Sequence, residues 1–456
     1  MNKAIRLLIL LFVFTSSLGS GLYAQHLSEE LQLLITEAKA KNSSIKINHL
    51  NMEQASIETK TARNTLLPKI YLSGSYTRLN DDIVFDDDTQ NLLVGTQKLL
   101  IKEAIGVPFN APFPAGIPLT DIPPLQKKNI LKSAVDVDWT LFSGFQVSNA
   151  IKASKHKHKS LEIANKLEED QVVLKTIDLY DKLGLAIKSE EVIKSMTQYL
   201  EKQDKFVSSA INNGLATPID RQKLSLAKQK LATKKLEAQN QQKLVIAVLQ
   251  QYTGAAPEFL DNLRPDLLPF AIDETMESKK RNEINALEEA ELATSFKSKM
   301  ERNNFIPKIA LKGHYEFIED DLSLLEPKWY VGVGTKWNIF DGFVSKLKSD
   351  QTKIEGLKYR EQINETEELI QLGITMAQLS LQSAKETSLM TQLEVDLAES
   401  NYELTNKQYK NGLTTVSEVL DALTEVEKAK FDLQKSYYNQ RKAGIELLYA
   451  KGLLTF

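Results

Sequence analysis

Apolar and polar residues alternate strictly in four short segments of this chain. Ile70, Leu72, Gly74 and Tyr76 alternate with Tyr71, Ser73, Ser75 and Thr77, and Val135, Val137, Trp139 and Leu141 with Ala134, Asp136, Asp138 and Thr140. Later in the chain Ile309, Leu311, Gly313, Tyr315 and Phe317 alternate with Ala310, Lys312, His314 and Glu316, and Val331, Val333, Thr335, Trp337 and Ile339 with Gly332, Gly334, Lys336 and Asn338. A period of two over eight to ten residues predicts strands at about 69–78, 133–142, 308–317 and 329–340. A half-buried sheet in a globule and a membrane strand both alternate in this way.

Between the strands the period changes. Leu, Ile and Val recur at three- and four-residue steps among Lys, Glu and Gln, which predicts helices at 27–66, 145–211, 219–252, 274–305, 343–409 and 416–449. The stretch 343–409 has no proline. As one continuous helix it reaches roughly 100 Å, far longer than a globule of this size needs.

The pattern is written twice. Leu66-Leu67-Pro68-Lys69-Ile70 returns as Phe305-Ile306-Pro307-Lys308-Ile309, Trp139-Thr140-Leu141-Phe142-Ser143-Gly144-Phe145 as Trp337-Asn338-Ile339-Phe340-Asp341-Gly342-Phe343, and Asn213-Gly214-Leu215 as Asn411-Gly412-Leu413. From Trp139 onward the offset is a constant 198 residues. One large supersecondary unit is therefore duplicated, as 25–254 and 255–456. Pro68 and Trp139 are 71 residues apart against 30 in the second copy, so the first carries a 41-residue insertion, read as a loop because Pro108, Pro112, Pro114, Pro118, Pro123 and Pro124 break up its second half.

The first 24 residues read as a secretory signal: Lys3 and Arg6, an uncharged run from Leu7 to Phe14, then small residues up to Ala24. With no cysteine, an exported chain uses neither disulfides nor a lipidated cysteine, so the fold itself must provide any membrane attachment. The chain holds 57 basic and 60 acidic residues, and the leader accounts for two of the basic ones, which leaves a net charge of −5 that argues against nucleic acid as a partner. Five scattered histidines offer no metal-binding set, and no phosphate loop or nucleophile elbow is present, so neither catalysis nor a cofactor is expected. Asp81, Asp82, Asp86, Asp87 and Asp88, and again Glu319, Asp320 and Asp321, form acidic runs after the first strand of each pair, read as solvated loop charge in preference to cation sites.

At the end of each long helix, Gly214 and Gly412 suit the left-handed residue that closes a helix, while Thr217 with Asp220 and Thr415 with Glu418 suit the cap of the next one. Two tight helical hairpins follow. Four strands cannot close a membrane barrel, for which about eight is the minimum, so a barrel would have to be shared between copies. Trp139 and Trp337, with Phe142 and Phe340, then fall where aromatic girdles of membrane strands lie.

In the order, duplication and spacing of these blocks, and in Tyr409-x-x-Gly412-Leu413-x-x-Val416-x-Glu418-Val419-Leu420-Asp421-Ala422, the mature chain resembles the TolC family of outer-membrane efflux proteins. The resemblance implies a mixed α/β membrane fold: a homotrimeric channel with a twelve-stranded barrel in the outer-membrane bilayer and a long helical barrel in the periplasm. It implies a passive exit duct for efflux or secretion, served by a periplasmic adaptor and by an inner-membrane pump or ABC transporter. It places Asp220 and Tyr409 at a polar contact that holds the periplasmic end closed, Glu418 and Asp421 at acids that narrow the pore, and Gly214, Leu215, Thr217, Gly412, Leu413 and Thr415 at tips that dock the adaptor. The match is incomplete, since Thr414 stands where the family pattern has a base and Ile219 where it has a hydroxyl. Capping alone also accounts for Asp220 and Glu418, but not for Asp421, which lies one turn further in and has Lys223 as its repeat mate. A periplasmic tethering coiled coil without a channel would account for the helices and the leader, but not for the four strands.

Overall fold

A computed structural model of the protein describes residues 28–214, 216–269, 272–318 and 327–454. The expected leader, Leu215 and the acidic run Glu319, Asp320 and Asp321 lie outside the described residues. The elements are α1 (Glu29–Lys41), α2 (Ser43–Asn64), β1 (Lys69–Arg78), α3 (Asp87–Ala104), β2 (Asn129–Phe142), α4 (Gln146–Asn212), α5 (Pro218–Thr253), α6 (Pro257–Asp261), α7 (Asn282–Arg302), β3 (Lys308–Ile318), β4 (Trp329–Lys336), α8 (Val344–Lys410) and α9 (Val416–Ala450). Among the described residues no helix is long and apolar enough to cross a membrane.

Two compact units divide the chain, one comprising residues 1–55, 156–291 and 357–456, the other 56–155 and 292–356. The first unit is helical and has two main cores. In one, Leu31, Leu34 and Ile35 of α1 pack with Ile177, Tyr180 and Leu183 of α4, Leu249 of α5 and Ile445 of α9. In the other, Ile193, Met196 and Leu200 of α4 meet Leu224 and Leu231 of α5, Tyr402 of α8 and Val416, Val419 and Val426 of α9. A buried ion pair pins α9 to α4, with Arg441 donating to Asp181 at 2.9 Å. Burial pushes the Asp181 carboxyl above its usual range, and Arg441 opposes that shift.

The second unit carries one four-stranded antiparallel sheet in the order β1-β2-β3-β4. Its register gathers the central apolar alternates on one face, with Ile70 opposite Val137, Leu72 opposite Val135, Trp139 opposite Leu311, Gly313 opposite Val331 and Leu311 opposite Val333, while irregularities in the β2–β3 ladder leave Leu141 and Phe317 without a paired position. Strands β1 and β4 are the two edges, and among the described residues neither has an outer partner.

Four expectations need correction. The insertion is not all loop, since α3 occupies its first part: the Asp86 carboxylate caps the helix by accepting from Thr89 N–H at 2.7 Å, and Asp87 and Asp88 sit in its first turn, where the helix dipole favours acids. Much of the first acidic run thus has a local structural use. The helix expected at 27–66 is broken at Asn42, whose side chain accepts from Ser44 N–H at 2.8 Å and starts a second helix. The helix expected from 274 begins only at Asn282: Glu274 and Thr275 form a turn, and Lys451 takes the carbonyls of Glu274 and Met276 at 2.6 and 2.9 Å, tying the segment to the end of α9. The last strand ends at Lys336, so Trp337 and Phe340 lie beyond it: β3 begins at Lys308, its last partner is Lys336, and the ladder runs out there.

Candidate gate, docking tips and membrane sheet

Each strand turns into its long helix through the repeated Trp-x-x-Phe-x-Gly-Phe block, and the two corners share one construction. Gly144 and Phe145 adopt φ of 63° and 62°, and Gly342 and Phe343 adopt 68° and 64°. Two successive left-handed residues reverse the chain, and a phenylalanine in that region is costly unless something holds it. The holding contacts repeat as well. Phe142 meets Phe145 edge-on at 5.1 Å, and Phe340 meets Phe343 at 5.3 Å. Trp139 Nε1 donates to Leu66 O at 2.9 Å, and Trp337 Nε1 donates to Phe305 O at 3.0 Å, in each case to the carbonyl two residues before the proline that leads into a strand. Ser143 and Asp341, at equivalent positions, cap the helices that follow through Val147 N–H and Ser345 N–H. Sequence reasoning took the tryptophans as girdle residues and missed this clamp; the signal available was the constant three-residue spacing of Trp, Phe and Phe in both copies.

At the first tip, Gly214 has φ 73° and its N–H donates to Ile211 O at 3.0 Å. Thr217 then caps α5, and both its N–H and its hydroxyl donate to Asp220 at 2.9 Å. At the second tip Gly412 also has φ 73°, and Leu413 N–H donates to Gln408 O at 2.9 Å, the six-residue closure that ends a helix on glycine. Thr415 accepts from Glu418 N–H at a longer 3.4 Å. Leu413 stands at the apex with 76% of its surface exposed. An apolar side chain displayed on a rigid turn is a feature suited to a docking point.

Beneath the tips, rings pair across α4 and α8 at heptad spacing. Tyr199 meets Tyr402 at 5.2 Å, and Phe206 meets Tyr409 at 5.5 Å, both edge-on. The equal step of seven residues in both helices was a signal the sequence reading did not use. Among the described residues the buried Tyr409 hydroxyl has no hydrogen-bond partner, and neither has the buried Thr414 hydroxyl. Burial, and then the charge of Asp220, raise the Tyr409 pKa. Asp220 and Tyr409 thus feel one another electrostatically, but the carboxylate is bonded to Thr217.

Asp421 lines a cleft of about 490 Å³ between α5 and α9. The α5 wall presents Lys223, Lys230 and Lys234, and the α9 wall Ser417, Asp421 and Glu427. Lys223 donates to Ser417 at 2.9 Å, and Lys234 to Glu427 at 2.6 Å. Asp421 and its repeat mate Lys223 therefore line the same cleft. The stripe of lysines at steps of seven and four went unread in the sequence. Glu418 is exposed near the start of the same helix.

Residues 279–453 match the family model of the outer membrane efflux protein. No curated protein matches the chain in sequence. Among solved structures, the chain is similar to the outer membrane protein VceC of Vibrio cholerae, with 16% identity, a TM-score of 0.69, and 92% of this chain and 96% of that one covered. It is also similar to CusC (15%, 0.72, covering 93% and 92%) and to the CmeC outer membrane channel of Campylobacter jejuni (16%, 0.68, covering 93% and 86%). These likenesses establish the fold over nearly the whole chain.

Proposed function

We propose that this chain, whose residues 279–453 match the model of the outer membrane efflux protein family, is the outer-membrane exit duct of a tripartite efflux or secretion system, assembled as a homotrimer. The observation that carries this reading is a sheet with one continuous apolar face and two unpartnered edges. Edge N–H and C=O groups cannot be left open in lipid, so a membrane sheet must close on itself or on copies of itself. Four strands are too few to close alone, whereas three copies give twelve.

In this reading the barrel lies in the outer membrane with its apolar face to lipid, and the helices project into the periplasm. No step of catalysis is assigned to the chain. It supplies a path and a gate, and an inner-membrane pump or ABC transporter supplies the energy through a periplasmic adaptor. Gly214, Thr217, Gly412, Leu413 and Thr415, together with Leu215, form the tips on which the adaptor docks. Asp220 and Tyr409 are assigned to the closed state of the gate, and Glu418 and Asp421 to the acidic lining of its narrowest part. The unbonded Tyr409 hydroxyl supports that assignment, because a buried hydroxyl without a partner favours any rearrangement or neighbouring copy that supplies one. A tethering coiled coil would have no use for a sheet with this apolar face.

The test is extraction of the full chain into detergent and its insertion into planar bilayers. A heat-modifiable trimer that conducts ions is the expected result. A monodisperse monomer that keeps its full β-content in a bilayer would contradict the reading.

A further inference from the structure

At equivalent places the two hairpins of the sheet carry opposite charge pairs. In the first, β1 opens on Lys69, which stands opposite Asp138 of β2. In the second, β3 opens on Lys308, the repeat mate of Lys69, and the residue opposite it is Lys336, the repeat mate of Asp138. An attractive cross-strand pair in one copy is a repulsive pair in the other, and like charges directly opposite destabilise a sheet. Strand pairing therefore does not account for Lys336, since the first hairpin makes the same pairing with an acid at that place.

These four residues lie on the polar face of the sheet, at the end where β1 and β3 begin and β2 and β4 finish. Lys312 joins them, opposite Asp138 across the β2–β3 ladder. Among the described residues Lys308 donates to Asn304 Oδ1 at 3.3 Å, and none of Lys69, Lys308, Lys312 and Lys336 forms an ion pair. With Lys132 the strands bring five lysines to this face against Asp136, Asp138 and Glu316, an excess of two positive charges per copy. Of those acids, Asp136 is bonded to His314 and Glu316 is buried. The further acid at this end is Asp341, at the corner beyond β4, where the Ser345 N–H and hydroxyl both donate to it.

Resting on the channel reading, in which this face lines the lumen, we propose that the Lys308–Lys336 pair, flanked by Lys69 and Lys312, is a binding site for multivalent oxyanions in transit through the barrel, solutes that bear phosphate or carboxylate groups. Each ammonium is a compact charge with three donors for such oxygens, and one multivalent anion answers both lysines of the pair at once. Three copies set the pairs round a barrel whose backbone radius is about 12 Å, for twelve strands ~4.8 Å apart and tilted ~40°. The screening length in 0.1 M salt is ~10 Å, so a solute crossing this level feels the lysines. Their sign is opposite to that of Glu418 and Asp421 at the tips. Binding to the trimer therefore tests the site, whereas the selectivity of the whole channel does not.

The experiment is isothermal titration calorimetry of purified wild-type trimers in neutral detergent with tripolyphosphate, and with citrate as the carboxylate probe, in 0.1 M and 1 M KCl. Binding is expected in 0.1 M KCl and should weaken by about tenfold or more in 1 M, where the screening length falls to ~3 Å. Lys336→Asp, which gives the second hairpin the charge pair of the first, should leave the trimer intact and weaken binding roughly tenfold, since each site exchanges an attraction for a repulsion. Lys336→Arg should keep the affinity, and Asp138→Asn, which removes the acid between Lys69 and Lys312, should raise it. Tripolyphosphate bound without citrate would assign the site to phosphates, and the reverse to carboxylates. Wild-type affinity in Lys336→Asp, or no binding of either anion by wild-type trimers in 0.1 M KCl, would overturn the proposal. A wild-type chain that purifies only as a monomer would instead overturn the channel reading beneath it.

Discussion

The corners where strands turn into the long helices and the tips where those helices fold back are both duplicated, yet only the corners have stayed alike. Each corner uses the same pair of left-handed residues, the same edge-on phenylalanines and the same tryptophan bond to the carbonyl two residues before a proline. The tips share their glycine and threonine but part company beyond them. Asp220 is bonded to its own cap, while Glu418 leaves its carboxylate exposed, and Lys223 is answered by Asp421. The difference separates two kinds of constraint. A corner must solve one steric problem, reversal of the chain between strand and helix, and both copies need the same solution. At a tip the backbone problem takes only a glycine and a cap, so the remaining side chains are free to differ, as those of a gate must if two hairpins take different parts.

Substitutions can break this comparison at graded cost. The largest effect should come from the element both repeats serve: Val137→Arg places a charge on the apolar face near mid-strand, and ~2–4 kcal/mol per strand is expected at a bilayer midplane. Heat-modifiable trimer should fall sharply relative to wild type on unboiled gels, and an unchanged trimer yield would remove this face from the membrane. Next, a β-carbon at Gly412 meets no steric neighbour but must adopt φ 73°, which costs ~1–2 kcal/mol for an L-residue and more for a β-branched one. Gly412→Val should therefore abolish transport while the trimer still forms; normal export by correctly localised protein would count heavily against the tip as a docking point.

A finer test compares the corners with each other. A β-carbon at Gly144 would come within 2.9 Å of the Ile306 carbonyl oxygen, whereas at Gly342 it meets nothing within 4 Å among the described residues of the single chain. If copies close the barrel, the residue facing Gly342 is the repeat mate of Ile306, namely Leu67 of the neighbouring copy. Gly342→Ala should then match Gly144→Ala in lowering trimer melting temperature, and a harmless Gly342→Ala beside a damaging Gly144→Ala would show that this edge stays open. The smallest effect is expected at Asp421. Lys223, Lys230 and Lys234 offset part of its charge, so Asp421→Asn should lower cation selectivity modestly, read as reversal potential across a salt gradient, with trimer stability unchanged. Identical reversal potentials would make Asp421 a surface acid.

What could be read in the sequence follows the same division. Period-two alternation fixes the apolar face because a one-residue slip would turn every side chain over, and the observed register keeps those residues together. Gly214 and Gly412 could be read because one residue type solves one conformational problem. The end of β4 could not, because a strand stops where its partner stops, and Lys308 limits the ladder from another part of the chain. Helix α3 was missed because prolines 20 residues downstream dominated the reading of the insertion, although its Asp86 cap and the leucines at 92, 93, 99 and 100 were in view. The lysine wall opposite Asp421 depends on which helices become neighbours, and a single helix does not encode that.

The duplication also fixes how one copy should pair with the next, since β2 against β3 within the chain is the template for β4 against β1 of a neighbour. Asp136 lies opposite His314. Moving each position to its repeat mate sets Gly334 of one copy opposite Ser75 of the next. The chain has no cysteine, so Ser75→Cys with Gly334→Cys introduces the only thiols present. Paired strand positions hold Cα atoms ~4.5–5.5 Å apart, within the range a disulfide spans. Oxidation should give a reducible covalent trimer on denaturing gels, while Ser73→Cys with Gly334→Cys, shifted by two residues, should remain monomeric. A Ser75→Cys/Gly334→Cys protein that inserts in membranes and stays monomeric after oxidation, or crosslinks no better than the shifted pair, would contradict a barrel shared between copies in this register.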